Sequence, residues 1–154
     1  MDSTDETLVT LLQQNARATQ AELAKTIGLS QPATYERIRK LEESGVIVGY
    51  SARVDATKLG KDVTAFVGVS IEHPKYFEAF AKRVLAHPDV LECHRVAGAD
   101  SYLLKVKTAN TGSLDRLLVE QLRTITGVTR TNTTIVLASV KEETTVIPLK
   151  GEAS

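Results

Sequence analysis

Between Thr19 and Pro32 the chain carries two helix starts and one sharp reversal. Thr19 and Glu22 have capping-box spacing, so each side chain can satisfy an N–H that the first helical turn leaves without a partner. Leu23, Ala24 and Ile27 then recur at the helical period and form a buried face. Gly28 permits a turn that a Cβ would resist, Leu29 plugs it, and Ser30 caps the next helix. Pro32 lies in that helix's first turn, where a missing N–H costs little. Thr34, Ile38 and Leu41 follow at i, i+4 and i+7 and face a small core, and Gly45 ends the helix. Upstream, Leu8, Leu11 and Leu12 mark a first helix, capped by Asp2 or Thr4, with Asp5 and Glu6 suited to its first turn. Three short helices with a tight turn before the third are how a chain inserts a helix into a DNA groove.

A third-helix residue reaches a base only from the face opposite the buried stripe. Gln31, Tyr35 and Arg39 lie there, spaced by four. Gln pairs bidentately with adenine and Arg with guanine. Ser30, Thr34 and the helix N-terminus are placed to meet phosphate. Arg37, Arg39 and Lys40 supply charge for the DNA backbone. The candidate DNA-contacting set is therefore Ser30, Gln31, Thr34, Tyr35, Arg37, Arg39 and Lys40. Charge does not advertise this role: Lys+Arg and Asp+Glu are both 19 of 154 residues. Residues 1–50 hold 5 basic and 7 acidic side chains, and Glu36 sits beside the reading face. A strongly basic binder is excluded; a local basic patch is not.

Other chemistry finds little support. One cysteine excludes an intrachain disulfide and a multi-cysteine metal site. Cys93 and His94 are adjacent on a strand and point oppositely, so they make no catalytic pair. His73 and His87 each precede a proline and read as helix-flanking surface residues. No paired carboxylates, phosphate loop or dinucleotide fingerprint occurs, so neither an enzyme nor a cofactor is expected. Residues 1–16 lack Lys and Arg, and no apolar run approaches membrane-spanning length. The expected protein is cytoplasmic, with no membrane partner.

The second half changes period. Residues 46–54 read as a short strand, and DATKLGKD (55–62) as a linker or helical turn. VTAFVGVSI (63–71) alternates as a strand. A helix follows over about 75–86, with Phe77, Phe80, Ala81, Val84 and Leu85 inward. Strands over 90–96 and 101–108 flank Gly98-Ala99-Asp100. A helix over 113–125 buries Leu114, Leu117, Leu118, Leu122 and Ile125, Gly127 stops it, and a long strand fills 128–141. Strand–helix–strand–strand–helix–strand is the split βαβ pattern of a ferredoxin-like domain. The expected class is α+β: a helix-turn-helix domain over 1–50, a connector over 51–62, a ferredoxin-like domain over 63–141 and a loosely held tail over 142–154. One sheet face is left bare, with Phe or Val at several positions, which predicts at least a dimer.

Three stretches carry a family likeness: NARATQAELAKTIGLSQPATYERIRKLEESGVIVGYSARVDATKLG (15–60), VLECHRVAGADSYLLKV (90–106) and GVTRTNTTIVL (127–137). In order and separation they resemble the Lrp/AsnC, or feast/famine, transcriptional regulators, over about residues 5–141. The resemblance implies a sequence-specific regulator of double-stranded DNA. It implies dimers joined through their sheets, assembling further, with an octamer expected. It also implies a C-terminal domain that senses a small molecule, usually an amino acid. The family's Ser at the start of the reading helix is Ser30, its Arg before the buried Ile is Arg37, and its basic pair is Arg39-Lys40. The effector loop is Gly98, Ala99, Asp100, Ser101 and Tyr102, opposed by Thr131 and Thr133. Relatives tend to read Gly-x-x-Asp-Tyr there, so the usual Asp is Ser101 and Asp100 lies one residue early. A zwitterionic amino acid needs a carboxylate for its ammonium and N–H donors for its carboxylate. Asp100 could meet the ammonium only if the loop shifts, because neighbours on a strand point oppositely. Gln31, Tyr35 and Glu36 also depart from the family's small or basic residues, which implies an altered operator. The alternative is an architectural DNA-binding protein of the same fold that ignores ligand.

Overall fold

Asp2 opens the first helix, α1 (Ser3–Gln14), by exchanging hydrogen bonds with Asp5 in a capping box. Thr19 and Glu22 do the same for α2 (Gln20–Ile27), with Thr19 N–H donating to Glu22 Oε2 at 2.7 Å. Gly28 leaves the helix at φ 71°, in the left-handed region where a glycine is favoured. Ser30 Oγ then accepts from Ala33 N–H to start α3 (Gln31–Glu43). This is a computed structural model, and it describes residues 1–149. The three helices close on Leu8, Leu12, Leu23, Ile38 and Leu41, with Leu8 entirely buried. Burying each such leucine contributes roughly 1.5–3 kcal/mol.

This first unit comprises residues 1–53 together with residues from Lys141 onward. The strand expected over 46–54 does not form: the segment is extended, but it finds no ladder partner among the described residues, and Val48 is almost fully exposed. The tail over 142–149 is anchored rather than loose. Gln13 Nε2 donates to Val146 O at 2.9 Å, and Val146 N–H donates to Gln13 Oε1 at 2.7 Å. Residues 150–154 of the expected tail lie outside the described residues.

The second unit, Val54–Val140, is an antiparallel sheet of order β2-β3-β1-β4. Its strands are β1 (Val63–Ile71), β2 (Val90–Arg95), β3 (Tyr102–Thr108) and β4 (Val128–Ile135). A short 3-10 turn at Thr57–Leu59 precedes β1. Helix α4 (Phe77–Leu85) joins β1 to β2, and α5 (Thr111–Arg116), capped by Asn110, joins β3 to β4. The order is the expected ferredoxin-like βαββαβ. Ala65, Val67 and Val69 are entirely buried on the helix-covered face, against Phe80, Val84, Leu104, Leu114 and Leu117.

Some boundaries differ from expectation. Leu85 is 85% exposed rather than inward, because α4 ends there. Helix α5 widens into a π-turn over Leu117–Leu122, with Arg123 N–H donating to Leu118 O. Leu117 and Leu122 are five apart, and the wider i→i+5 turn lets both reach the core. β4 stops at Ile135 rather than 141: Val136 N–H donates to Thr64 O at the start of β1, and among the described residues no ladder partner lies beyond. The bare sheet face carries Phe66 and Leu103, each 39% exposed, among polar residues; the valines of β1 lie on the other face.

Candidate DNA-contacting face and effector loop

Thr34, Ile38 and Leu41 are buried as their spacing requires. Gln31 and Tyr35 are therefore exposed on the opposite side of α3, Tyr35 by 56%. Ser30 is exposed at the helix N-terminus and Lys40 is exposed near its end. Thr34 does not belong among the phosphate contacts. It has no exposed surface, and its hydroxyl donates to Ser30 O at 2.9 Å, back into its own helix.

The two arginines of α3 are already engaged. Arg37 Nη1 meets Asp2 Oδ2 at 2.8 Å and Asp5 Oδ1 at 2.7 Å, so it bolts α3 to the start of α1. The Asp5 backbone N–H, then Arg37, hold the Asp2 carboxyl below its usual range. Arg39 forks onto Glu36, with Nε at 3.0 Å from Oε2 and Nη2 at 2.7 Å from Oε1, and Nη1 reaches Glu43. That bidentate contact lowers the Glu36 carboxyl and keeps it charged. Sequence reasoning placed Glu36 beside the reading face but missed that it holds Arg39. The i, i+3 and i, i+4 spacings from Glu36 and to Glu43 were the available signal.

The effector-loop residues divide between the two faces of the sheet. Tyr102 is buried on the helix-covered face, edge-on to Phe77 at 5.4 Å and tilted against Phe80 at 4.9 Å. Thr131 and Thr133 pair across β1 with Val69 and Val67, which puts them on that same face. Thr131 Oγ1 accepts from Arg123 Nε at 3.1 Å. Asp100 lies on the other face. Its Oδ1 accepts from Ser70 Oγ at 2.8 Å and from Arg130 Nη2 at 3.3 Å, while its carboxylate covers Gly68. The structure does not bring Asp100 together with Thr131 and Thr133. Gly98 and Ala99 are exposed.

Ser101 stitches the loop down. Its N–H donates to Val69 O at 2.9 Å, and its Oγ accepts from Ile71 N–H at 3.0 Å. The β1–β4 register shifts between Ser70 and Ile71, and the hydroxyl satisfies the N–H at that irregularity. Ser70 and Arg130 were not among the sequence candidates; only the strand register makes them neighbours.

Elsewhere, Cys93 packs partly against the core and burial pushes its thiol up, while His94 turns to Glu92 at 3.2 Å. Among the described residues no group of His, Cys, Asp and Glu is set to hold a metal. No helix is long and apolar enough to cross a membrane.

Family models match both units: an AsnC-type helix-turn-helix domain over residues 1–42 and an Lrp/AsnC ligand binding domain over residues 64–146. The chain is 47% identical over 115 residues to the uncharacterized HTH-type transcriptional regulator YezC of Bacillus subtilis, covering 75% of this chain and 81% of that protein. It is 35% identical over 144 residues to the leucine-responsive regulatory protein of Rhizobium meliloti, covering 92% of each. Among solved structures, it superposes with a TM-score of 0.88 on the feast or famine regulatory protein of M. tuberculosis complexed with L-methionine. That match has 37% identity and covers 96% of this chain and 99% of the other.

Proposed function

The chain belongs to the Lrp/AsnC family of DNA-binding transcriptional regulators, and from that premise we propose that it chooses its DNA sites through the exposed face of α3 and alters binding or assembly with an amino acid. The family is one of regulators rather than enzymes. The observation that carries the DNA reading is the exposure of Gln31 and Tyr35 opposite a fully buried Thr34–Ile38–Leu41 stripe. Two copies of so small a module, paired about a two-fold axis, read one DNA face about a helical turn apart. Arg39 joins that face by exchanging Glu36 and Glu43 for DNA. Arg37 serves chiefly by setting the pose of α3 on α1.

The proposed assembly is a cytoplasmic homodimer, through the bare face around Phe66 and Leu103, building to a higher oligomer such as an octamer. Linked copies raise one another's effective concentration on DNA, which offsets the weak charge of each module. The amino-acid response is carried over from the relative bound to L-methionine. The Gly98–Tyr102 loop is the proposed contact, with backbone N–H groups near Gly98 available to a carboxylate. A ligand-independent architectural role has one observation in its favour. Ser101, at the family's usual acidic position, is committed to the β1 backbone.

Footprinting the full chain on its own upstream DNA, with each of the twenty amino acids present or absent, tests the reading. Protection that chooses sites and changes with at least one amino acid is expected. Site choice that ignores all twenty supports the architectural role and removes the sensor role for those ligands.

A further inference from the structure

The chain enters the helical unit twice, because the second unit is inserted between Arg53 and Lys141. Units carried on a single connection swivel about it by default. Here the two connections are laced together just inside the helical unit. Arg53 Nη1 donates to Glu143 Oε2 at 3.0 Å, and its Nη2 donates to Glu142 O at 3.2 Å. Three residues on, the Gln13 side-chain amide pairs with both the N–H and the carbonyl of Val146, as the backbone of a neighbouring strand would. A side-chain amide carries both a donor and an acceptor, so it can take that place.

Both connections lead to the reading helix. Tyr50, three residues before Arg53, donates its hydroxyl to Glu42 Oε1 on α3 at 2.8 Å. The tail reaches α1 through Gln13, and Arg37 bolts α1 to α3. Helix α3 is thus held by two routes that end on adjoining connections. Each of these exposed contacts is weak alone. Their effect comes from closing loops: a second attachment removes freedom that the first leaves.

We propose that Gln13 and Arg53 are positioning residues that make the tail over 142–149 a second tether on the DNA-binding unit, and that this tether narrows the half-site spacing the assembled protein accepts. The inference goes beyond the α3 reading and rests on it only for the DNA half of its test. Neither residue belongs to the DNA-contacting set; each acts through the pose of α3. Reading helices on swivelling units can follow half-sites moved along and around the duplex, where each base pair turns the second site by about a tenth of a turn. Helices on doubly tethered units cannot.

The test compares the full chain with the double variant Gln13→Ala, Arg53→Ala. The first measurement needs no DNA. Lys25→Cys on α2 and Lys82→Cys on α4, in a Cys93→Ser background, carry spin labels. Labelled chains are diluted into a large excess of unlabelled ones, so that pulsed electron paramagnetic resonance reads the distance within one chain. The distribution should be at least about two-fold broader in the double variant than in the tethered chain. Equal widths overturn the tether. The second measurement is affinity for one half-site footprinted on the chain's own upstream DNA, and for paired copies of it separated in single base-pair steps. Affinity for the single half-site should stay within about two-fold, while the ratio between best and worst spacings should fall about ten-fold in the double variant. An unchanged ratio overturns the spacing role, and so does a ratio that falls only with collapse of the oligomer in light scattering. If the wild type binds no half-site while the distances broaden as expected, the α3 reading fails and the tether stands without a spacing role.

Discussion

Replacing Thr34 by Val separates a core residue from a phosphate contact. The Thr34 hydroxyl donates to Ser30 O at 2.9 Å, but that carbonyl also accepts the Thr34 backbone N–H at 3.0 Å. Losing the hydroxyl therefore leaves no orphaned acceptor. The cost is that of one net hydrogen bond, about 0.5–1.5 kcal/mol. Valine places a methyl group in a fully buried position, which returns about 0.8 kcal/mol. The two terms nearly cancel, so Thr34→Val should shift stability by less than about 1 kcal/mol. Thr34→Ala removes both groups and leaves a small void, for about 1–2 kcal/mol of destabilisation. Urea unfolding followed by far-UV circular dichroism measures both, alongside DNA titrations at two salt concentrations. Thr34→Val should keep DNA affinity within about two-fold and leave the salt dependence unchanged. A ten-fold loss of affinity with unaltered unfolding would refute the burial argument and return Thr34 to the phosphate contacts.

Three further expectations follow from named contacts. Glu36→Gln frees one side of Arg39 and removes a negative charge beside the reading face, so low-salt DNA affinity should rise several-fold regardless of sequence; filter binding across a salt series reads this. Arg37→Met unbolts α3 from α1 and should lower the unfolding midpoint at neutral pH. Because the Asp2 carboxyl is held below its ordinary value of 3.8 by the Asp5 N–H and Arg37, the pair's contribution is present above that pH and fades as pH falls through the lower folded value. The gap between wild type and Arg37→Met should thus narrow below about pH 4 in a thermal melt series. Gly127→Ala meets both a φ of 93° and the Tyr76 side chain, and should destabilise the second unit by about 2 kcal/mol or more in urea melts.

The helical half was legible because its signals are local. Thr19, Glu22, Gly28 and Ser30 act on neighbours within a few residues, and each does what its spacing predicts. The strand alternation of 63–71 likewise reported which side chains point inward. What escaped depends on contacts distant in sequence. Residues 46–54 have the composition of a strand, but a strand also needs a ladder partner; among the described residues the segment meets the tail only through contacts such as Arg53 to Glu143, and no ladder forms. The length of β4 is set by where β1 begins, not by its own residues. Arg37 reads as a free cation until α1 brings Asp2 and Asp5 to it. The Ser70–Asp100–Arg130 cluster depends on strand register, and the division of the loop residues between sheet faces depends on how the loop turns. The isolated Gly68 hinted at close approach, without saying to what.

If the exposed face of α3 carries DNA recognition, Arg39→Ala is the substitution that should reveal it. Wild type and variant are titrated with the chain's own upstream DNA, and the assembly of each is measured by light scattering. About a ten-fold or greater loss of affinity with the oligomer intact is expected. Undiminished binding, or loss of binding together with collapse of the oligomer, would contradict it.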